Sequence, residues 1–128
     1  MKKQKTVKKY ILVVEDEDIY AKLLQKRLTE KGYDVKVVGN GKSAMISLKK
    51  RRPDLVLLDL VLPIMDGYEL LEKVRKDETL KNLKVMILSN LGQEVEIRRA
   101  KNLGVPDFVI KTNISLEGML EKVRKFIS

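Results

Sequence analysis

DLVLLDLVLPIMDG, residues 54–67, places an apolar run, Leu55–Leu58, directly before an acid, Asp59. A run this short cannot fill a helix, and without alternation neither of its faces meets water. It fits a strand of a parallel sheet covered by helices on both sides. Similar runs recur on either side: Tyr10–Val14 (YILVV), Val35–Val38 (VKVV), Val85–Leu88 (VMIL) and Phe108–Ile110 (FVI). The segments between them carry apolar residues at helical spacing. Ile19, Leu23, Leu24 and Leu28 make one stripe, Ala44, Met45 and Leu48 a second, and Leu70, Leu71 and Val74 a third. Val95, Ile97, Ala100 and Leu103 form a fourth that charge dilutes; Leu116, Met119, Leu120, Val123 and Ile127 form a clear fifth. Gly32 stands where the first helix should end, Asn40-Gly41 opens the second, and Gly104 closes the fourth. Strand–helix units in succession, joined by right-handed crossovers, predict an α/β fold: a (βα)5 doubly wound, five-stranded parallel sheet in a three-layer sandwich.

Ligands of such a sheet bind beyond the carboxyl ends of its strands. The residues there are Glu15-Asp16-Glu17-Asp18 after the first strand, Asp59 after the third, Ser89-Asn90 after the fourth and Lys111-Thr112 after the fifth. Taken singly, each has a plain reading. An Asp at a strand end is usually a cap or turn former, Ser89 fits a helix cap, and Lys111 fits a solvated surface. Taken together, they are complementary groups at one edge. Clustered carboxylates repel one another unless a cation intervenes, and hard oxygen ligands suit Mg2+ or Mn2+. Lys111 adds a fixed positive charge and Ser89 a hydroxyl donor, so a carboxylate nucleophile at Asp59 forming an acyl phosphate is chemically reasonable.

The 128 residues fit one domain, with a basic segment 1–8 preceding a folded body 9–128. Cysteine is absent, which excludes a disulfide framework, a thiolate zinc site and a Cys nucleophile, and fits a reducing cytoplasm. No apolar run nears the roughly 20 residues a membrane-spanning helix needs. The basic start MKKQKTVKKY lacks the apolar stretch of a signal peptide, so the expected location is cytoplasmic. The net charge of +9 raises the question of a polyanion site. Lys2, Lys3, Lys5, Lys8 and Lys9 account for much of it; without them 22 basic residues face 18 acidic ones. No basic strand interleaved with aromatics marks an RNA-binding sheet, and the charge reads as a solvated surface with a loose tail.

ILVVEDE, DLVLLDLVLPIMDG, VMILSN and DFVIK together resemble the receiver domains of bacterial two-component response regulators, over roughly residues 9 to 127. The resemblance implies a flavodoxin-like strand order, 2-1-3-4-5. It implies that Asp59 is the phosphoacceptor, loaded by a sensor histidine kinase or phosphotransfer protein. Mg2+, or Mn2+, would be held by Asp16 directly, Glu15 through water, Asp59 and the backbone carbonyl of Val61. Ser89 takes the place of the family's Thr or Ser, Lys111 pairs with the phosphate, and Phe108 is the aromatic switch. An output partner protein would read the face of the fourth helix, fifth strand and fifth helix, with the chain a monomer or a phosphorylation-dependent dimer. Such a chain carries neither a DNA-binding domain nor a membrane segment. It is not an enzyme with turnover, catalysing only its own phosphorylation and slow dephosphorylation.

Departures from the family pattern carry expectations of their own. Thr112 follows Lys111 where Pro is usual. A cis bond to a non-proline residue costs about 2.5–4 kcal/mol, so a trans bond and a re-aimed loop are expected. Asn90 stands where a small residue is common and is expected to restrict access to Asp59. Val61 and Leu91 offer no group to orient a hydrolytic water, which predicts a long-lived aspartyl phosphate. Two other functions compete. A haloacid-dehalogenase-like phosphatase would use Asp16-x-Asp18, although its second acidic motif and cap domain are missing. A pseudo-receiver would keep the fold as an interaction module without the chemistry.

Overall fold

The computed structural model describes residues 8–90, 92–105 and 107–127. The basic segment up to residue 7 and Leu91 lie outside the described residues. The strands are β1 (Tyr10–Val14), β2 (Asp34–Val38), β3 (Leu55–Asp59), β4 (Val85–Ser89) and β5 (Asp107–Ile110). The helices are α1 (Asp18–Glu30), α2 (Gly41–Lys50), α3 (Gly67–Lys76), α4 (Glu94–Lys101) and α5 (Leu116–Ile127), with a 3-10 turn at Lys111–Asn113. All strand pairs are parallel and the order is β2-β1-β3-β4-β5, the flavodoxin-like order. Each expected strand except the first gains one polar end residue. Asp34, Asp59, Ser89 and Asp107 pair with Tyr10, Leu88, Ile110 and Met86, so the ladder runs past the apolar run.

Side chains alternate across a strand, which divides the core in two. Leu12, Val14, Val56, Leu58, Val85 and Ile87 pack with residues of α2, α3 and α4 on one face. Ile11, Val13, Leu55, Leu57, Met86 and Leu88 pack with α1 and α5 on the other. These are the three layers of the sandwich. The α1 stripe needs correction: Ala21, Leu24 and Leu28 are buried, while Ile19 (84% exposed) and Leu23 face outward. Ile19 lies in the first helical turn, at the carboxyl edge of the sheet, and Leu23 follows one turn later on the same outer row. In α4 only Ile97 and Ala100 are buried, and Val95 is exposed. The caps agree with the sequence: Asn40 accepts from Ser43 N at 2.8 Å and Asp66 from Glu69 N at 2.9 Å. Gly32 sits at φ 97° just past α1, where Tyr33 N donates to Leu28 O.

Candidate functional site

Register places the site. Val14 pairs with Leu58, so Glu15, the next residue, lies level with Asp59, and Asp59 pairs with Leu88, one position before Ser89. Ser89 in turn pairs with Ile110, directly before Lys111. The carboxyl ends of β1, β3, β4 and β5 therefore meet at one edge, as the sequence predicts.

Asp59 is only 2% exposed, yet it is a carboxylate. Its Oδ1 accepts from Val61 N at 3.0 Å, and its Oδ2 lies 3.5 Å from Lys111 Nζ. The same ammonium donates to Glu15 Oε1 at 2.5 Å and to Glu17 Oε1 at 2.6 Å. Glu15 is equally buried, and its other oxygen accepts from Glu17 N at 2.9 Å. Burial disfavours charge on both acids. It pushes Glu15 up to about 7 against the pull of Lys111 and the Glu17 amide, and it raises Asp59 against the Val61 amide and Lys111. Burial alone would lower the Lys111 ammonium, but its bonds to Glu15 and Glu17 hold it above the ordinary lysine value. The ring of Tyr20, half-buried, lies 5.0 Å from that ammonium.

Carboxylate oxygens of Glu15, Glu17 and Asp59 lie within 4.8 Å of one another, a hard donor set that fits a small divalent cation. The sequence places Glu17 in the acidic run after the first strand but assigns it no role, because nothing in its spacing marks it as turned toward the lysine. Asp16 is exposed on the rim, close enough for its charge to raise Asp59. Asp18 is also exposed and faces Lys22 on α1 at 3.4 Å, so Asp16-x-Asp18 does not form a pair turned into the site. Neither caps α1, whose N-cap residue is Glu17. The 3-10 turn at Lys111–Asn113 carries Lys111 into the site, and no cis peptide bond occurs among the described residues. Thr112 thus leaves the reach of Lys111 intact. Asn90 is exposed.

Ser89 is fully buried, its hydroxyl directed at Gln93 Oε1 (2.9 Å) and Asn90 O (3.0 Å). Phe108 is half-buried against the α2–α4 face, with Lys101 Nζ 4.7 Å from its ring centre. Gly67 opens α3 against the end of β3. A Cβ there would stand 2.1 Å from Asp59 O, so only glycine lets the helix begin this close to the acid. The loop leading to it exposes Val61 and Ile64, and Ile19 in the first turn of α1 is exposed as well.

The five-stranded parallel sheet, with a buried acid at the end of its central strand beside acids after β1 and a lysine after β5, defines the class: a doubly wound α/β domain with an acidic site at the carboxyl edge. Residues 11–124 match the response regulator receiver domain, and the chain belongs to that family. It is 36% identical over 104 residues to a probable transcriptional regulator, ycf27, of Porphyra purpurea, covering 81% of this chain and 42% of that protein. It is 36% identical over 118 residues to the response regulator protein VraR of Staphylococcus saprophyticus, covering 90% of this chain and 54% of that protein. The chain thus spans about half the length of these curated relatives. Among solved structures, a putative response regulator from Chloroflexus aurantiacus superposes with a TM-score of 0.86 at 26% identity, covering 94% of this chain and 98% of that one. A phosphorylated cyanobacterial phytochrome response regulator, RcpA, gives 0.80 at 33% identity, with 93% and 91% covered. Receiver domains of this family are modules of two-component signalling. No helix among the described residues is long and apolar enough to cross a membrane.

Proposed function

We propose that Asp59 receives a phosphoryl group from a phosphohistidine of a sensor histidine kinase or phosphotransfer protein. The observation that carries this reading is the buried Asp59 carboxylate beside the Lys111 ammonium and the carboxylates of Glu15 and Glu17. An Asp59 oxygen bonds to phosphorus as the donor's N–P bond breaks; the imidazole keeps the bonding pair and takes a proton from solvent. The Val61 amide fixes one Asp59 oxygen, and Lys111 offsets charge on the arriving phosphoryl oxygens. The carboxylates of Glu15, Glu17 and Asp59 fit Mg2+ or Mn2+; Asp16 and the backbone carbonyl of Val61 would complete the ligand set, with Glu15 acting through water. That ion would neutralise the carboxylates and phosphoryl oxygens together.

In the loaded state Ser89 donates to the phosphoryl group and Phe108 turns inward, changing the face of α4, β5 and α5 for an output partner. A groove of about 400 Å3 beside Phe108, lined by Glu94, Ile97, Arg98, Lys101 and Ile110, supports a readout there. The reading includes a folded receiver body 9–128 after a basic segment 1–8, in the cytoplasm. With apolar Val61 beside the acceptor, the aspartyl phosphate is expected to outlast a few seconds with Mg2+ present. Mg2+ with beryllofluoride, which mimics the acyl phosphate, tests the site. Shifts at Ser89, Phe108 and Lys111 by NMR, lost in Asp59→Asn, are expected. Wild-type protein without such shifts would overturn the reading.

A further inference from the structure

Gln93 is the N-cap residue of α4, with its backbone oxygen accepting the first helical bond from Ile97 N at 3.0 Å. An amide at this position ordinarily caps its own helix. Gln93 makes no such bond; its side chain runs backward to the end of β4. There Oε1 lies 2.9 Å from Ser89 Oγ and 3.1 Å from Asn90 N. The backbone N–H of Asn90 can only donate, so the amide must present its oxygen, and Ser89 must then be the donor. Gly92, at φ 91°, provides the backbone turn that folds Gln93 back, a conformation a side chain at that position would strain.

We propose that Gln93 is a positioning residue that holds the Ser89 hydroxyl toward α4 in the resting protein, and that this bond couples Ser89 to the start of α4. A serine has one proton to give. Here the Gln93 oxygen and the Asn90 carbonyl share it. If phosphoryl oxygens on Asp59 recruit that proton, they compete with Gln93 for it; this consequence rests on the phosphoacceptor reading. Release of Ser89 then frees a side chain that belongs to the first turn of α4. No side-chain cap holds that turn. The state of the strand end thereby reaches the helix through a single amide.

Two substitutions, a truncation and a near-isosteric change, separate positioning from simple destabilisation. Gln93→Ala removes the competitor. It is expected to tighten Mg2+-dependent beryllofluoride binding roughly fivefold, the worth of one neutral hydrogen bond, and to reduce the shift changes in α4 on binding. Gln93→Glu supplies a stronger acceptor for Ser89 and Asn90 and is expected to weaken binding several-fold. Equal affinity in wild type and both variants overturns the proposal, as does a change of the same sign in both. A separate arm needs neither metal nor beryllofluoride. Hα–Hβ couplings of Ser89 in the resting protein should report one χ1 rotamer in the wild type and averaging in Gln93→Ala, and unchanged couplings overturn the proposal. Wild-type protein that binds no beryllofluoride defeats the phosphoacceptor reading instead, and the coupling measurement still decides the role of Gln93.

Discussion

Glu15 sets the pH behaviour of the site. Its carboxyl is pushed from 4.5 up to about 7 by burial, so between those values the folded chain holds a proton that the unfolded chain has released. Stability contributed at this position is therefore full below the lower value, falls as pH rises through the window and is level above it. Glu15→Gln removes the titration. Relative to the variant, the wild type is expected to lose roughly 2 kcal/mol between pH 5 and 8, read from urea unfolding at each pH; a constant difference would mean Glu15 titrates normally. Ile64 is the second residue under tension. Met65 N closes a three-residue turn on Pro63 O at 2.8 Å, with Ile64 at its centre at φ 68°. A β-branched side chain there is strained, and at 78% exposure it gains no packing in return. Ile64→Gly should stabilise by roughly 0.5–1 kcal/mol, the relieved strain outweighing the entropy glycine adds to the unfolded chain. The urea midpoint should rise at constant m. A fall would show that the Ile64 side chain makes contacts in the folded state.

Among the elements, the strands were the most legible, because a run such as Leu55–Leu58 is buried on both faces wherever its helices lie. The amphipathic α5 was nearly as plain, with Met119, Leu120, Val123 and Ile127 all buried as expected. The α1 stripe was misread for a physical reason. Ile19 and Leu23 are as apolar as Leu24, but a pattern does not say which side of the helix the sheet lies on or where the sheet ends. Arg75 was invisible to the sequence for a related cause. A basic residue in the last turn of α3 reads as a partner for the helix dipole. In the structure its guanidinium reaches Leu103 O at 2.6 Å, Leu83 O at 2.8 Å, Lys81 O at 3.0 Å and Gly104 O at 3.3 Å. It ties the end of α3 to the loop before β4 and to the turn after α4. Charge-assisted bonds of this kind carry about 1.5–3 kcal/mol each, and removing the donor leaves carbonyls partly buried without it. Arg75→Ala is expected to lower stability by about 2–3 kcal/mol, and Arg75→Lys to recover less than half, since an ammonium cannot span the same carbonyls. Denaturant unfolding of both variants measures this; full recovery by Lys would reduce the role of Arg75 to its charge.

At the scale of the molecule, the candidate site was legible in outline because the topology fixes which strand ends meet, and a doubly wound order brings Glu15, Asp59, Ser89 and Lys111 to one edge. What the order does not fix is which acids turn inward: Glu17 bonds the lysine, while Asp16 stays exposed on the rim. The chain is strongly basic, +9 in all, yet at this edge, among the described residues, Lys111 pairs with the buried Glu15 and Asp59 and the exposed Glu17. Lys111 is thus the counter-ion of the carboxylates of Glu15, Glu17 and Asp59. Lys111→Met keeps the length of the side chain and removes the charge. Breaking a buried pair costs about 3–5 kcal/mol when the partner must stay ionised. Here the partner has an escape, because Glu15 already holds a proton up to about pH 7 and holds it more firmly without Lys111. The loss in Lys111→Met should therefore be about 2–3 kcal/mol at pH 8 with a chelator present, smaller at pH 5.5. At pH 8, millimolar Mg2+ should restore much of it, since an ion bound only by the folded chain stabilises by mass action. Urea unfolding under the three conditions decides the matter. A loss equal in all of them would show that the Lys111 ammonium stabilises through its contact with the Tyr20 ring rather than as the counter-ion of the carboxylates.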